Sequence, residues 1–192
     1  MKRVVGGVLL LMQVLALPVD AVAGNLSSLL SALDLGGYPF DERPPDFVGL
    51  TTHGSALTLA DLHGKVVLLT FWATWCPPCG PELKVLESLH RELGVQHLAI
   101  VAVNASESMP VVREYTRARG LTFVVLDDPR GDIQRAYGVL GLPTTFVIAR
   151  DGRAVARAIG ARDWAGARFR ELLLGLLYEP ALPRAPAGAT RP

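Results

Sequence analysis

The feature that most constrains the fold is the stretch 71–79, Phe-Trp-Ala-Thr-Trp-Cys-Pro-Pro-Cys, which holds the only two cysteines of the 192-residue chain. An apolar run over residues 66–70 precedes it, as is typical of a buried strand. After it, leucines recur at near-helical spacing, at Leu83, Leu86 and Leu89. The stretch therefore predicts a strand that leads into Cys76 and a helix that leads out of it, with the first sulfur at the helix N-terminus.

That position favours the reactive form of a cysteine. Unpaired N–H groups and the helix dipole stabilise an anion, and the thiolate is the nucleophile. Such sites commonly lower the pKa of a thiol from about 8.5 into the range ~3.5–7.5. Pro77 and Pro78 suit a first helical turn, because their φ is fixed and they have no N–H to lose. Cys79 can then displace a client from a mixed disulfide on Cys76, so the pattern predicts a redox-active dithiol.

Other roles for a cysteine pair have less support from the residues. A structural zinc site usually needs four ligands, whereas this chain has no second cysteine pair and its four histidines are scattered. A structural disulfide across two residues would close almost no loop and add little stability. Two thiolates can bind copper(I), and a copper-delivery protein stays open as the alternative. We expect no resident metal or cofactor beyond the Cys76–Cys79 pair itself.

Short apolar runs alternate with amphipathic segments along the rest of the chain. The pattern predicts strands over residues 47–50, 56–59, 66–70, 97–104, 122–126, 144–149 and 153–159. Helices are predicted from the residue after Cys76 to about Leu93, from Ser106 or Ser108 to Gly120, over residues 133–137, and over residues 164–177 with Asp163 as the cap.

This order predicts an α/β fold with a central mixed β-sheet flanked by helices and an N-terminal β-hairpin extension. The strand–helix–strand units imply parallel strands, while Asp151-Gly152 marks an antiparallel hairpin. One domain is expected over residues 45–178. Residues 24–44 form an extension and linker with a short amphipathic helix, and the Pro- and Ala-rich residues 179–192 are expected to be a disordered tail.

Residues 1–23 are typical of an export signal. Lys2 and Arg3 precede an apolar run over residues 4–19, and Ala21-Val22-Ala23 offers a cleavage site. We therefore expect a periplasmic protein, with an uncleaved membrane anchor as the alternative. The chain has 19 Lys and Arg and 18 Asp and Glu, and without residues 1–23 both numbers become 17. A neutral balance does not favour nucleic acid as a partner.

Four segments together resemble the thioredoxin superfamily and, within it, exported thiol–disulfide oxidoreductases of the TlpA/ResA type. They are Pro45-Asp46-Phe47, Leu62-His63-Gly64-Lys65, the stretch 71–79, and residues 137–146, Tyr-Gly-Val-Leu-Gly-Leu-Pro-Thr-Thr-Phe. The resemblance covers roughly residues 45–175 and implies a thioredoxin-like fold.

The resemblance also implies how the site works. Cys76 attacks a client disulfide and Cys79 resolves the mixed disulfide. Pro143 matches a cis-proline loop that faces the dithiol, which leaves the Leu142 backbone free to pair with an extended client segment. Trp75 is expected to form part of the surface around the thiolate. The resemblance favours reduction of clients such as apocytochrome c or copper-site thiols, with a membrane electron donor that recharges the dithiol.

Two positions depart from related patterns. Thioredoxin has a buried acid on the strand before its dithiol, where this chain has Thr70. Water or Glu82 must then carry the proton to and from Cys79, although Glu82 also suits a first-turn residue that complements the helix dipole. Peroxidase sites place Thr or Ser three residues before the reactive cysteine, and this chain has Ala73 there. A peroxidase is therefore not expected.

Overall fold

The computed structural model describes residues 28–35 and 43–178. The predicted export signal over residues 1–23, the predicted tail over residues 179–192 and part of the predicted linker lie outside the described residues. Within the described ranges, no helix is both long and apolar enough to span a membrane.

The domain alternates strands and helices in the predicted order. The strands are β1 (Val48–Thr51), β2 (Ala56–Thr58), β3 (Val66–Trp72), β4 (Leu98–Ala105), β5 (Val124–Asp128), β6 (Thr144–Ile148) and β7 (Ala154–Ile159). The helices are α1 (Cys79–Leu93), α2 (Met109–Ala118), α3 (Asp132–Ala136) and α4 (Ala167–Tyr178).

All seven strands form one mixed sheet in the order β2-β1-β5-β4-β3-β6-β7. The three central strands β5, β4 and β3 are parallel, and β1, β2, β6 and β7 pair in antiparallel fashion. The predicted mixed sheet and N-terminal hairpin are confirmed. Strand β3 lies between β4 and β6 and is buried along its whole length, which explains its continuous apolar run.

The sheet has a hydrophobic core on each face. Alternate residues of β3 point to opposite faces, so that Leu68 and Trp72 join one core and Leu69 and Phe71 the other. The first core takes the apolar sides of α1, α2 and α4. The second takes α3 and residue Tyr137 after it. Helix α1 is thus fixed on the sheet directly behind the cysteine pair.

The N-terminal extension packs on the domain. Residues 28–32 form a helical turn, and Leu30 and Leu35 are buried in the first core. Pro44 is also buried, and the Tyr137 hydroxyl donates a hydrogen bond to the Pro45 carbonyl at 2.7 Å. The segment predicted to be a linker is therefore packed at its C-terminal end.

Several predicted boundaries were wrong. Strand β5 begins at Val124, two residues later than expected. Helix α4 begins at Ala167, and the Gly166 carbonyl accepts its hydrogen bond from Arg170 N. The Asp163 carbonyl instead accepts the Gly166 N–H in the preceding turn, where the indole of Trp164 is buried in the core.

Candidate functional site

The two cysteines lie where β3 ends and α1 begins, and their sulfur atoms form a disulfide. Helix α1 begins at Cys79, so the prediction that Pro77 and Pro78 form its first turn was wrong. Cys76 lies in the turn before the helix, where its carbonyl accepts the Cys79 N–H at 3.1 Å. Pro78 has helical dihedral angles at the N-cap, with φ −73° and ψ −15°. Its ring continues the turn into the helix.

Both cysteines belong to the first core, but they differ in access. Cys79 is fully buried, whereas Cys76 is 5% exposed and lines two grooves. Cys79 lines neither of these two grooves. A client sulfur can therefore approach Cys76 from the surface, and Cys79 can react only through Cys76.

We call the first groove the proline-loop groove. It has a volume of about 460 Å³ and is lined mainly by apolar groups. Trp75 is 67% exposed and Leu140 is fully exposed, although both are large hydrophobic residues. The groove also contains the following residues: Cys76, Pro77, Pro78 and Leu142. Its composition suits an apolar polypeptide segment.

Pro143 lies immediately before β6, and the Leu142–Pro143 peptide bond is cis, as predicted. The Pro143 carbonyl accepts the Gly160 N–H at 2.8 Å, which ties the loop to the end of β7. No main-chain hydrogen bond joins Leu142 to another described residue. Its backbone is thus available at the edge of the groove that Cys76 lines.

The second groove, which we call the α1–α2 groove, lies on the other side of Cys76. It has a volume of about 690 Å³ and is lined by Thr74, Gly80, Lys84, Tyr115, Arg119 and Leu121, among others. No sequence pattern indicated this groove. Its cations are 35 positions apart in the sequence, on α1 and just after α2, and carry no motif.

Glu82 lies in the first turn of α1, as the sequence indicated, and is 4% exposed. Its carboxylate accepts the Arg162 N–H at 3.1 Å and faces the Thr145 hydroxyl at 3.1 Å. Burial raises the pKa of Glu82, and these hydrogen bonds offset the effect only in part. A buried acid one turn from Cys79 is suited to hold a proton closer to neutral pH.

Thr70 occupies the position on β3 where thioredoxin has a buried acid, and it faces Thr145. Its hydroxyl lies 2.8 Å from that of Thr145, which in turn contacts Glu82. One arrangement satisfies all three groups, in which Thr70 donates to Thr145 and Thr145 donates to the carboxylate. The register of β3 and β6 pairs Thr70 with Thr145, which brings the hydroxyls together.

Glu107 is a residue that the sequence analysis missed. Its carboxylate accepts the Thr74 N–H at 2.7 Å, the Thr74 hydroxyl, and the amide of buried Asn104 at 2.8 Å. The carboxylate therefore fixes the turn two residues before Cys76. In the sequence, only the spacing of Asn104 and Glu107 after an apolar strand pointed to this contact.

Over residues 28–35 and 43–178, no group of three or more His, Cys, Asp or Glu side chains could hold a metal ion.

Comparisons with known proteins agree with this geometry. The model of the AhpC/TSA family matches residues 41–157. The thiol-disulfide oxidoreductase ResA of Bacillus thuringiensis subsp. konkukian is 35% identical over 119 residues, which cover 62% of this chain and 69% of that protein. The thioredoxin-like protein YneN of Bacillus subtilis is 37% identical over 155 residues, with 79% and 86% covered.

Solved structures share the fold. The crystal structure of a thiol:disulfide interchange protein of the thioredoxin family from Chlorobium tepidum TLS is 29% identical, with a TM-score of 0.63. The match covers 71% of this chain and 99% of that one.

Proposed function

We propose, from the premise that this chain belongs to the AhpC/TSA family and is a thioredoxin-like thiol–disulfide oxidoreductase, that it reduces disulfides of client proteins outside the cytoplasm. The roles of the two cysteines are inferred from their different access to the surface. Cys76 lines both grooves, whereas Cys79 is fully buried behind it. Cys76 is therefore the attacking thiol and Cys79 the resolving thiol.

The exchange starts from the dithiol form. The Cys76 thiolate attacks one sulfur of the client disulfide, a mixed disulfide forms, and the other client sulfur leaves with its electron pair and takes up a proton. Cys79 then loses its proton and attacks Cys76 Sγ, which releases the second client sulfur as a thiolate that is also protonated. The client gains two electrons, and the Cys76–Cys79 disulfide of this structure is the oxidised product.

The proline-loop groove and Glu82 support these steps. The client segment lies along the groove, where Trp75 contacts its side chains. The free backbone of Leu142 pairs with the segment beside cis-Pro143. Glu82 accepts the proton of Cys79 in the second step. Its burial, its raised pKa and its place one turn beyond Cys79 on α1 support this role.

We infer the reducing direction, the site of action and the clients from the sequence. Residues 1–23 direct the chain to the periplasm, and the resemblance to TlpA/ResA-type proteins favours reduction. A membrane dithiol donor returns two electrons to the Cys76–Cys79 disulfide. The clients are proteins with oxidised cysteine pairs, such as apocytochrome c or the thiols of a copper site.

Single-cysteine variants test the assigned roles. In Cys79→Ser the mixed disulfide on Cys76 cannot be resolved, so we expect this variant to accumulate disulfide-linked client proteins on non-reducing gels. Cys76→Ser is the matched control and should trap few or none. Equal trapping by the two variants would contradict the assignment.

The redox state in cells tests the direction. Rapid acid quenching followed by thiol labelling should find the Cys76–Cys79 pair mainly reduced, and loss of the donor should turn it mainly oxidised. A pair that stays oxidised in normal cells would contradict a reductant. Purified protein with one equivalent of copper and no reductase activity towards insulin would favour the copper-delivery alternative instead.

A further inference from the structure

The α1–α2 groove carries two cations beside the reactive sulfur. Lys84 and Arg119 both line it, together with Cys76. Among the described residues, no carboxylate lies within ion-pair distance of either side chain. The nearby acid Glu107 does not line the groove, and its oxygens accept hydrogen bonds from Thr74 and Asn104. The groove therefore presents positive charge that no carboxylate of residues 28–35 or 43–178 neutralises.

Arg119 is held in place by stacking. Its guanidinium carbon lies 3.5 Å from the centre of the Tyr115 ring. Tyr115 in turn packs on buried Trp72, with ring centroids 5.0 Å apart. Stacking leaves the edge of a guanidinium free to donate hydrogen bonds to a carboxylate, and it reduces the rotamer entropy lost on binding.

We propose that the α1–α2 groove binds an acidic side chain of the client, on a residue next to the half-cystine that Cys76 attacks. This inference rests on the proposed function and adds a specificity element to it. The apolar proline-loop groove takes the segment on one side of the target sulfur. The carboxylate on the other side lies between Lys84 and Arg119, which also steer an acidic client towards Cys76.

Each cation also has a simpler electrostatic role to consider. Arg119 follows the last residue of α2, where a positive charge complements the helix dipole. Both cations also lie near Cys76, where positive charge stabilises a thiolate. A role on the thiolate would change the rate for every client equally, whereas a binding role changes it only for acidic clients.

The test compares two disulfide-linked peptides with the reduced, full-length protein. One peptide has Asp on both sides of the half-cystine, and the other has Asn at the same positions. The variants are Lys84→Gln, Arg119→Gln and the double variant. Arg117→Gln is the matched control, because Arg117 lies on α2 two residues before Arg119, pairs with Glu114 and does not line the groove. The readout is the second-order rate constant of thiol release.

We expect the natural protein to prefer the Asp peptide. Each single variant should lower the rate for this peptide about threefold and the double variant about tenfold, as is typical of partly exposed charge pairs. The Asn peptide and Arg117→Gln should show no change. The preference should also shrink on going from about 0.05 M to about 0.5 M salt.

The outcomes separate this inference from the proposed function. Equal rates for the two peptides, or an equal loss for both in the double variant, would overturn the acidic-client groove while the reductase activity stands. If the natural protein reduced neither peptide, the proposed function would fail first.

Discussion

At the scale of single residues, Cys76 and Cys79 form one disulfide but lie in different surroundings. Cys76 lies in a turn between two grooves, and Cys79 begins a helix inside the core. The spacing of the motif and the apolar residues around it indicated the redox pair. The sequence did not indicate the positively charged α1–α2 groove beside the sulfur, because no local pattern shows that Lys84 and Arg119 line the same groove.

Glu82 gives a prediction for the pH dependence of stability. Burial raises its pKa above the ordinary value, so the native protein keeps this proton at pH values where the unfolded chain has released it. The stability that this group contributes is complete below the unfolded-state pKa and is lost as the pH rises through the native one. The free energy of unfolding of Glu82→Gln, minus that of the natural protein, should therefore increase with pH across this window.

Urea denaturation of both oxidised proteins, at several pH values between about 4 and about 8, measures this difference. A constant offset from the altered hydrogen bonds to Arg162 and Thr145 does not affect its slope. A difference that stays flat or falls with pH would show that Glu82 is ionised in the folded protein as readily as in the unfolded chain.

At the scale of elements, the site depends on how neighbouring strands are aligned. The parallel register pairs Trp72 of β3 with Asn104 of β4, so the turns after both strands emerge at the same edge of the sheet. Thr74 in one turn can then bond to Glu107 in the other. Similarly, Glu82 meets Thr145 only because β6 lies beside β3 under α1. Periodicity predicted these elements, but contacts between turns require the register, which the sequence pattern does not reveal.

Glu107→Ala tests the link between the two turns. The change leaves the amide of buried Asn104 and the N–H of Thr74 without their acceptor, so we expect the free energy of unfolding to fall by about 1–3 kcal/mol. Client reduction should also slow, because the turn before Cys76 is no longer fixed. Chemical denaturation and the peptide assay measure the two effects.

Glu114→Ala is the control for this change. Glu114 is exposed on α2 and pairs with exposed Arg117, so its loss should cost less than about 1 kcal/mol. If both variants lost the same stability, Glu107 would contribute no more than a surface ion pair.

At the scale of the whole molecule, the mixed sheet and its two cores hold the dithiol rigidly from behind. The order of the strands and helices could be predicted, since each long apolar run and each amphipathic repeat is a local signal. The amphipathic leucine pattern of the N-terminal extension also indicated packing on the domain, and Leu30 and Leu35 are buried in the first core. Which face of the sheet the extension covers could not be predicted, because a polar, proline-rich linker separates it from the first strand.

Leu30→Ala tests whether this extension is part of the folded unit. Removal of a buried leucine side chain should lower the free energy of unfolding by about 2–3 kcal/mol. Leu140→Ala, at a fully exposed position, should change it by less than about 0.5 kcal/mol. Equal effects in urea denaturation would mean that the extension is not packed on the domain in solution.

The central claim is that Cys76 is the thiol through which electrons leave the protein. The most direct measurement reduces the full-length protein, adds a substoichiometric amount of iodoacetamide and locates the label by tandem mass spectrometry. Because Cys76 lines both grooves, whereas Cys79 lines neither and is fully buried, we expect the label on Cys76. A label on Cys79, or one divided equally between the two cysteines, would contradict the account.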